Sequence, residues 1–184
     1  MKLAYIPNAL CIFRILLVAP VLWAITGGRY DVALLLFVIA GFTDGLDGFL
    51  ARQFDWRSEL GGILDPVADK LLMVTVLISL TLAGLIPFWL TAVLVGRDTI
   101  IVVGAISYRL VVGPFHGQAS TVSKLNTALQ LLFVTAVLAS AVFSFPNSLT
   151  VSILGSLVFV TAVVSGMHYV RGWTLLALSG GEKA

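Results

Sequence analysis

The sequence predicts an all-α, polytopic membrane protein with six transmembrane helices. Its 184 residues are 59% hydrophobic and 11% charged, with a mean hydropathy of +1.07, whereas soluble domains average about 25% charged residues. A helix rises 1.5 Å per residue, so about 20 apolar residues cross the hydrocarbon of a bilayer. Six stretches meet this requirement: residues 8–27, 31–51, 60–82, 86–108, 121–144 and 149–175. This composition excludes a water-soluble domain, a disordered chain and a nucleic-acid binder with a basic face.

Short connections rich in glycine, proline or polar residues separate the six predicted helices. The apolar runs are continuous and do not alternate with polar residues, which argues against an outer-membrane barrel. No low-complexity linker divides the chain, so we expect a single membrane domain over residues 1–184. The lone cysteine, Cys11, excludes an internal disulfide framework and a cysteine-based zinc cluster.

The basic residues of the tails and loops predict the orientation of the chain. With the N-terminus in the cytoplasm, Arg29 is the single basic residue in a loop on the opposite side. We therefore expect a multi-pass protein of a bacterial inner membrane, or of an organelle inner membrane of bacterial ancestry, whose active site faces the cytoplasm. The basic residues on the cytoplasmic side are Lys2, Arg52, Arg57, Arg109, Arg171 and Lys183.

Charge is concentrated in one part of the chain. Residues 41–70 hold nine of the twenty charged residues, including six of the nine acidic ones. Four aspartates fall inside the second and third predicted helices, where an uncompensated carboxylate costs several kcal/mol. They are Asp44, Asp47, Asp65 and Asp69.

The spacing of these aspartates predicts a shared site. Asp44 and Asp47 are three residues apart and Asp65 and Asp69 are four apart, so each pair lies on one helical face. The two helices are joined by a short turn, and we expect both pairs to face one gap near the cytoplasmic surface. Four carboxylates repel one another in a low dielectric, so a cation must lie between them. Oxygen ligands suit Mg²⁺ or Mn²⁺, and two such ions about 4 Å apart would clamp a phosphate group.

A purely structural interpretation competes at each position taken alone. An intramembrane aspartate often pairs with an arginine, and small residues at four-residue spacing often mark close helix packing. Clustering of the acidic residues on one face, without an equal number of neighbouring cations, favours a functional site.

The run from Asp44 to Asp69 fits the pattern D-x2-D-G-x2-A-R-x8-G-x3-D-x3-D at all eight fixed positions. It resembles the signature of the CDP-alcohol phosphotransferase (phosphatidyltransferase) family, and the opening Pro7-Asn8 with Arg14 is similar as well. The resemblance implies a homodimeric membrane enzyme of phospholipid biosynthesis. It would transfer the phosphatidyl group of CDP-diacylglycerol to an alcohol and release CMP.

The resemblance also implies roles for the residues of the motif. Asp44, Asp47 and Asp65 match the ligands of two divalent cations, and Asp69 matches the fourth aspartate, assigned as general base and as a further metal contact. Cys11 replaces the Thr or Ser usual in relatives, and a small packing role is expected for it. The implied nucleotide-binding residues are Asn8, Asp44, Gly48, Ala51, Arg52 and Gly61.

Residues 80–143 are most similar to the CMP-forming cardiolipin synthase branch, with phosphatidylglycerophosphate synthases as close relatives. Relatives in the second branch tend to carry Arg-Glu and a second Lys where this chain has Arg97-Asp98 and Asn126. Fewer cations suit the singly charged phosphatidylglycerol better than glycerol 3-phosphate, a dianion. Arg97, Lys124 and Asn126 are therefore the predicted acceptor-binding residues. The alternative for Arg97 and Asp98 is a mutual ion pair within the helix packing.

Two further classes of membrane protein also use intramembrane aspartates. A small ion-coupled transporter would be expected to show repeats with matching broken helices, yet acid-rich sequence occurs in the second and third helices without a counterpart in the fourth to sixth. An intramembrane prenyltransferase would carry two separated aspartate-rich motifs in a longer chain. A non-catalytic scaffold is the remaining alternative.

Overall fold

The computed structural model describes residues 6–54, 59–111 and 121–178, with side chains described at 9–46, 53–54, 67–104, 121–169 and 171. The described residues form six α-helices and no strand. Every helix end lies within three residues of its predicted position, so the all-α prediction is confirmed. The helices are α1 (Ile6–Thr26), α2 (Tyr30–Gln53), α3 (Glu59–Leu82), α4 (Phe88–Val111), α5 (Thr121–Phe143) and α6 (Ser148–Leu178).

Three of the six helices contain described segments that are long and apolar enough to cross a membrane. These segments are Ala9–Thr26 in α1, Thr121–Phe143 in α5 and Ser148–Tyr169 in α6. Spanning by α2, α3 and α4, which carry most of the intramembrane charge, stays a prediction.

The chain divides into two compact units. Unit 1 comprises residues 1–87 and 134–148, and so holds α1, α2, α3 and the second half of α5. Unit 2 comprises residues 88–133 and 149–184, and holds α4, the first half of α5 and nearly all of α6.

In unit 1, α1 packs against both α2 and α3. The buried faces carry small residues beside larger ones: Ala24 of α1 and Ala33 and Ala40 of α2 have no exposed surface. Phe37 of α2 and Val76 of α3 are likewise buried. Small side chains allow helix backbones to approach closely, which is how helices associate in lipid.

In unit 2, a glycine brings α6 close to α4 and α5. A Cβ atom at Gly155 would lie 3.2 Å from Phe133 Cε2 and 3.5 Å from Leu90 Cδ2, so the position is fully packed without a side chain. Nearby, Trp89 and Phe159 meet edge to face with their ring centroids 5.5 Å apart.

The ends of α1 and α3 use the same cap. Gly28 and Gly84 adopt φ angles of +69° and +76°, which only glycine accepts without strain. The residues that follow them donate back across the turn, from Arg29 N to Ala24 O at 2.8 Å and from Leu85 N to Leu80 O at 2.9 Å. These bonds complete Schellman motifs and satisfy the last carbonyls of each helix.

Several large apolar side chains are exposed, and two arginines are buried. Leu82 and Phe88 are 79% and 76% exposed, whereas Arg14 and Arg97 are 1% and 5% exposed. Large apolar side chains on the outside match a hydrocarbon environment, and charged groups turned inward mark functional positions.

Candidate active site

The first aspartate of the motif forms an ion pair with a residue of the first helix. Arg14 of α1 places Nη1 2.7 Å from Asp44 Oδ1 of α2. The arginine side chain is 1% exposed, whereas that of Asp44 is 38% exposed. An arginine buried in an apolar helix requires an anionic partner. Asp44 supplies that anion and still keeps part of its carboxylate accessible.

Asp69 lies on α3 within the same unit and is partly exposed. Ala68 and Leu72, its neighbours on the helix, are buried in the core. Because α1 packs against α2 and α3, the two helices that carry Asp44 and Asp69 share α1 as a neighbour. Both carboxylates therefore belong to one three-helix unit.

The other residues assigned to the metal and nucleotide sites lie outside the described side chains. Within the described part of the chain, which includes two of the four aspartates, no three potential metal ligands are grouped. Convergence of the four carboxylates, the two-cation site and the nucleotide contacts stay predictions. The residues concerned are Asn8, Asp47, Gly48, Ala51, Arg52, Gly61 and Asp65.

A second polar cluster occupies unit 2, and Arg97 is at its centre. Arg97 Nη1 lies 2.6 Å from Asp98 Oδ1, so the ion pair considered from the sequence is present. Arg97 Nη2 donates to Ser123 Oγ of α5 and to Ser165 Oγ of α6, each at 2.6 Å. The arginine thus joins three helices, and the neighbouring Asp98 balances its charge.

Amide side chains continue this cluster along α5. Asn126 is 0% exposed and Gln130, one helical turn later, is 1% exposed. Asn126 Oδ1 accepts a hydrogen bond from Thr161 Oγ1 at 3.0 Å. Asn126 Nδ2 and Gln130 Nε2 are buried without a hydrogen-bond partner in the described part of the chain.

Lys124 takes a different position from the other two predicted acceptor residues. It is exposed, whereas Arg97 and Asn126 are buried. Two residues along a helix correspond to a rotation of about 200°, so Lys124 and Asn126 occupy different faces of α5. The described structure brings Arg97 and Asn126 into one cluster and leaves Lys124 outside it.

A cavity of about 250 Å³ lies where α1 ends and α3 ends. Its lining includes Thr26 and Ser79, whose hydroxyls already donate to carbonyls of their own helices, Leu22 O and Thr75 O. Two of the hydroxyl donors that line this cavity are therefore already engaged within their own helices.

Four residues of these clusters were missed from the sequence. Arg14 was noted without a role, although a cation inside an apolar helix signals a buried anionic partner. Gln130 lies seven residues after Ser123 and four after Asn126, so a helical wheel places all three on one face. Thr161 and Ser165 lie in an ordinary apolar helix and carried no signal of their own.

The sequence of this chain is similar to the sequences of a known protein family and of several known proteins. The family model for CDP-alcohol phosphatidyltransferase matches residues 4–168. Cardiolipin synthase (CMP-forming) of Homo sapiens is 39% identical over 181 residues, covering 89% of this chain and 60% of the human protein. The protein of the same name in Streptomyces coelicolor is 40% identical over 104 residues, or 53% of this chain and 48% of that protein. CDP-diacylglycerol–glycerol-3-phosphate 3-phosphatidyltransferase of Bacillus subtilis is 31% identical over 196 residues, covering 97% and 94%.

The chain belongs to the CDP-alcohol phosphatidyltransferase family. The family model is that of a phosphatidyltransferase, and the human and Streptomyces relatives are named for forming CMP. The chain spans about 60% of the length of the human cardiolipin synthase that it matches.

Proposed function

We propose that this enzyme transfers the phosphatidyl group of CDP-diacylglycerol to a hydroxyl of phosphatidylglycerol, forming cardiolipin and CMP. The match to the family over residues 4–168 supports the reaction class. The higher identity to the human cardiolipin synthase, 39% against 31% for the Bacillus enzyme, supports the branch.

From the resemblance of the motif to that of the family, we assign a proton transfer to Asp69. The acceptor oxygen attacks the β-phosphorus of CDP-diacylglycerol, the bond from that phosphorus to the bridging oxygen breaks, and CMP leaves with that oxygen. Asp69 accepts the proton of the attacking hydroxyl, which is a general-base role that a carboxylate performs within hydrogen-bond reach. Arg14 holds Asp44 in place through their 2.7 Å contact.

Divalent cations complete the proposed site, since members of this family depend on divalent metal in general. Asp44, Asp47, Asp65 and Asp69 would hold two Mg²⁺ or Mn²⁺ ions. Asp44 suits this role because it offers carboxylate oxygens, which hard cations prefer, and remains 38% exposed beside Arg14. When bound, such cations neutralise the diphosphate and stabilise the charge that develops as CMP departs. Asn8, Gly48, Ala51, Arg52 and Gly61 would contact the nucleotide.

One observation carries the choice of acceptor: Asp98 neutralises Arg97 at 2.6 Å. A cluster with a balanced charge offers little Coulomb attraction to a dianion. Phosphatidylglycerol carries one negative charge on a diester, so it suits this cluster better than glycerol 3-phosphate does. Lys124, exposed at the start of α5, would attract the acceptor phosphate from the surface.

Glycerol 3-phosphate is the second candidate acceptor. The Bacillus enzyme, whose printed name states this acceptor, aligns over 97% of this chain. Membership in the transferase family argues against the ion-coupled transporter, the prenyltransferase and the scaffold.

The proposed enzyme is a homodimer with six transmembrane helices in a bacterial inner membrane, and its acidic motif faces the cytoplasm. Three helices able to span a membrane support the membrane location. The distribution of lysine and arginine along the sequence supports the orientation.

The test uses purified enzyme in lipid nanodiscs with radiolabelled CDP-diacylglycerol and Mg²⁺ or Mn²⁺. Phosphatidylglycerol and glycerol 3-phosphate are offered separately, and the lipid products are resolved by thin-layer chromatography. Labelled cardiolipin with the first acceptor, and loss of product on addition of EDTA, supports the proposal. Labelled phosphatidylglycerophosphate from the second acceptor alone assigns the enzyme to the other branch.

A further inference from the structure

The cavity of about 250 Å³ lies wholly within unit 1, where α1 and α3 end and α2 begins. A helix rises 1.5 Å per residue, so Tyr30 at the cavity and Asp44 are separated by about 21 Å along α2. The cavity is therefore distinct from the ion pair of Asp44 with Arg14. One water molecule takes up about 30 Å³ of the liquid, so the cavity has room for a small polar group.

The hydroxyl groups of α1 and α3 that line this cavity offer lone pairs rather than protons. Thr26 Oγ1 donates its proton to Leu22 O at 2.9 Å, and Ser79 Oγ donates to Thr75 O at 2.7 Å. Ser79 is 2% exposed, which shields its bond from water. A hydroxyl has one proton and two acceptor lone pairs, so both oxygens keep the capacity to accept. This part of the cavity suits a hydrogen-bond donor.

The ends of two helices favour a donor that also carries a positive charge. Thr26 is the last residue of α1 and Leu82 the last residue of α3, and both line the cavity. The carboxyl end of a helix carries roughly half a negative charge and stabilises cations. The amino end of α2 also lies here and has the opposite sign, but Asp31 in its first turn offsets it. The balance of these charges favours a cation.

Exposed side chains at the rim indicate that a membrane lipid supplies this cation. Leu82 and Trp23 are 79% and 61% exposed, as expected of side chains that meet lipid. Arg29 follows the lining residue Gly28, and its Cζ atom lies 5.6 Å from the centroid of the Trp23 ring. Tryptophan and tyrosine are enriched at membrane interfaces, and arginine pairs with phosphate. A zwitterionic head group would place its phosphate at Arg29 and its cation in the cavity.

We propose that this cavity binds the primary ammonium group of a phospholipid of the ethanolamine type, whose phosphate pairs with Arg29. The ammonium carries three N–H donors, and two of them bond the hydroxyl oxygens of Thr26 and Ser79. The ring of Tyr30, which also lines the cavity, adds a cation–π contact. The site does not depend on the proposed transfer reaction or on the identity of its acceptor.

Recognition by hydroxyl oxygens predicts a preference between two common head groups. The trimethylammonium group of a choline lipid has the same charge as the ammonium of an ethanolamine lipid but no N–H donor. It retains the attraction to the helix ends and to the Tyr30 ring, and it loses the bonds to Thr26 and Ser79. Charge-assisted hydrogen bonds are the stronger kind, so their loss should be measurable.

The experiment compares two phospholipids that differ only in their head-group nitrogen. Phosphatidylethanolamine and phosphatidylcholine with identical acyl chains are titrated into the purified protein in detergent, and native mass spectrometry gives the Kd of the first bound lipid. Thr26→Val and Ser79→Ala remove the two acceptor oxygens. Thr99→Val and Ser156→Ala are the matched controls, because these hydroxyls also bond within their own helices but lie in unit 2.

The wild-type protein is expected to bind phosphatidylethanolamine about tenfold more tightly than phosphatidylcholine. Thr26→Val and Ser79→Ala should each lower this ratio by about threefold or more, whereas both controls keep the wild-type ratio. Arg29→Gln should weaken both lipids by a similar factor, because they share the phosphate. Free ethanolamine at the same concentrations should displace neither lipid, since it lacks the phosphate and the acyl chains.

Equal wild-type affinities for the two lipids overturn the inference, even if no variant folds. Folded Thr26→Val and Ser79→Ala proteins that keep the wild-type ratio overturn it as well, because the preference then arises elsewhere on the protein. An equal loss of the ratio in the controls has the same consequence. Displacement by free ethanolamine would assign the cavity to a soluble amine and refute a lipid as its occupant.

Discussion

Arg14 illustrates how a single residue changes the interpretation of the acidic motif. The sequence predicts several carboxylates at membrane depth, and it predicts that bound metal ions balance their negative charge. The structure places a fully buried guanidinium 2.7 Å from Asp44, so α1 contributes a cation of its own. Part of the negative charge is therefore balanced before any metal binds, and the carboxylate is held in one position for binding.

We predict that Arg14→Met lowers the free energy of unfolding by about 2 kcal/mol, a value between those of exposed and fully buried ion pairs. The reason is that Asp44 loses its 2.7 Å contact with the buried Arg14 guanidinium. Thermal unfolding in detergent measures the effect. Arg29→Met is the control, since Arg29 is exposed and stacks on Trp23 with 5.6 Å between Cζ and the ring centroid. Equal losses in both variants would contradict a specific role for the Arg14–Asp44 pair.

We predict that Asp69→Asn reduces turnover at least about 100-fold, the lower bound for loss of a general base. The substitution keeps the size of the side chain, so folding and binding of CDP-diacylglycerol should persist. Turnover and nucleotide-lipid binding are measured on the same preparation. Asp31→Asn, at an exposed position in the first turn of α2, should retain full turnover. Near-normal activity in Asp69→Asn would remove this residue from the role of base.

We predict that Asn126→Lys shifts acceptor preference toward glycerol 3-phosphate. The change adds a cation on the buried face of α5, one turn after the Ser123 that bonds Arg97, and a dianion gains more from that cation than a diester does. The ratio of initial rates with the two acceptors measures the shift. An unchanged ratio in a folded variant would argue against charge as the basis of acceptor choice.

At the scale of elements, α1 and α3 end with identical backbone geometry. Gly28 and Gly84 each take the left-handed conformation and allow the next residue to bond back across the turn. Both glycines lie in the short glycine-containing connections predicted from the sequence, and the Schellman motif explains why glycine is required there. These caps fix where α1 and α3 stop within unit 1.

We predict that Gly84→Ala destabilises the protein by about 1 kcal/mol, because alanine is strained at a φ of +76°. Space is not the cause, since no atom lies within 4 Å of the Cβ position. Gly41→Ala provides a control of opposite sign, because it is helical, its Cβ position is equally open, and alanine is the better helix former. Both effects are measured by thermal unfolding. A gain in stability for Gly84→Ala would contradict the strain argument.

For the whole molecule, the distribution of charge predicts how the chain lies in a membrane. The polar connections alternate between sides, and basic residues gather on one of them. Exposed leucine and phenylalanine side chains, such as Leu82 and Phe88, agree with a surface in contact with lipid.

We predict that a cysteine introduced at His116 reacts with a membrane-impermeant maleimide from the cytoplasmic side, and one introduced at Asn147 from the opposite side. The native Cys11 is buried and is replaced by serine in both variants. Labelling of inside-out and right-side-out vesicles measures the outcome. Labelling of both positions from the same side would refute the proposed topology.

The sequence alone determined the six helices, their ends and the acidic motif, because helix formation in lipid follows from local apolar composition and from the glycines and prolines that interrupt it. It also indicated that Arg97 and Asp98 could pair, since they are adjacent in the chain. Only the tertiary structure decided that Arg14 pairs with Asp44, that Arg97 joins Ser123 to Ser165, and that Lys124 lies apart from Asn126. These contacts join residues 26 to 68 positions apart or depend on which face of a helix is buried. Local helix propensity does not indicate which face of a helix becomes buried, because that face is selected when the helices pack against one another.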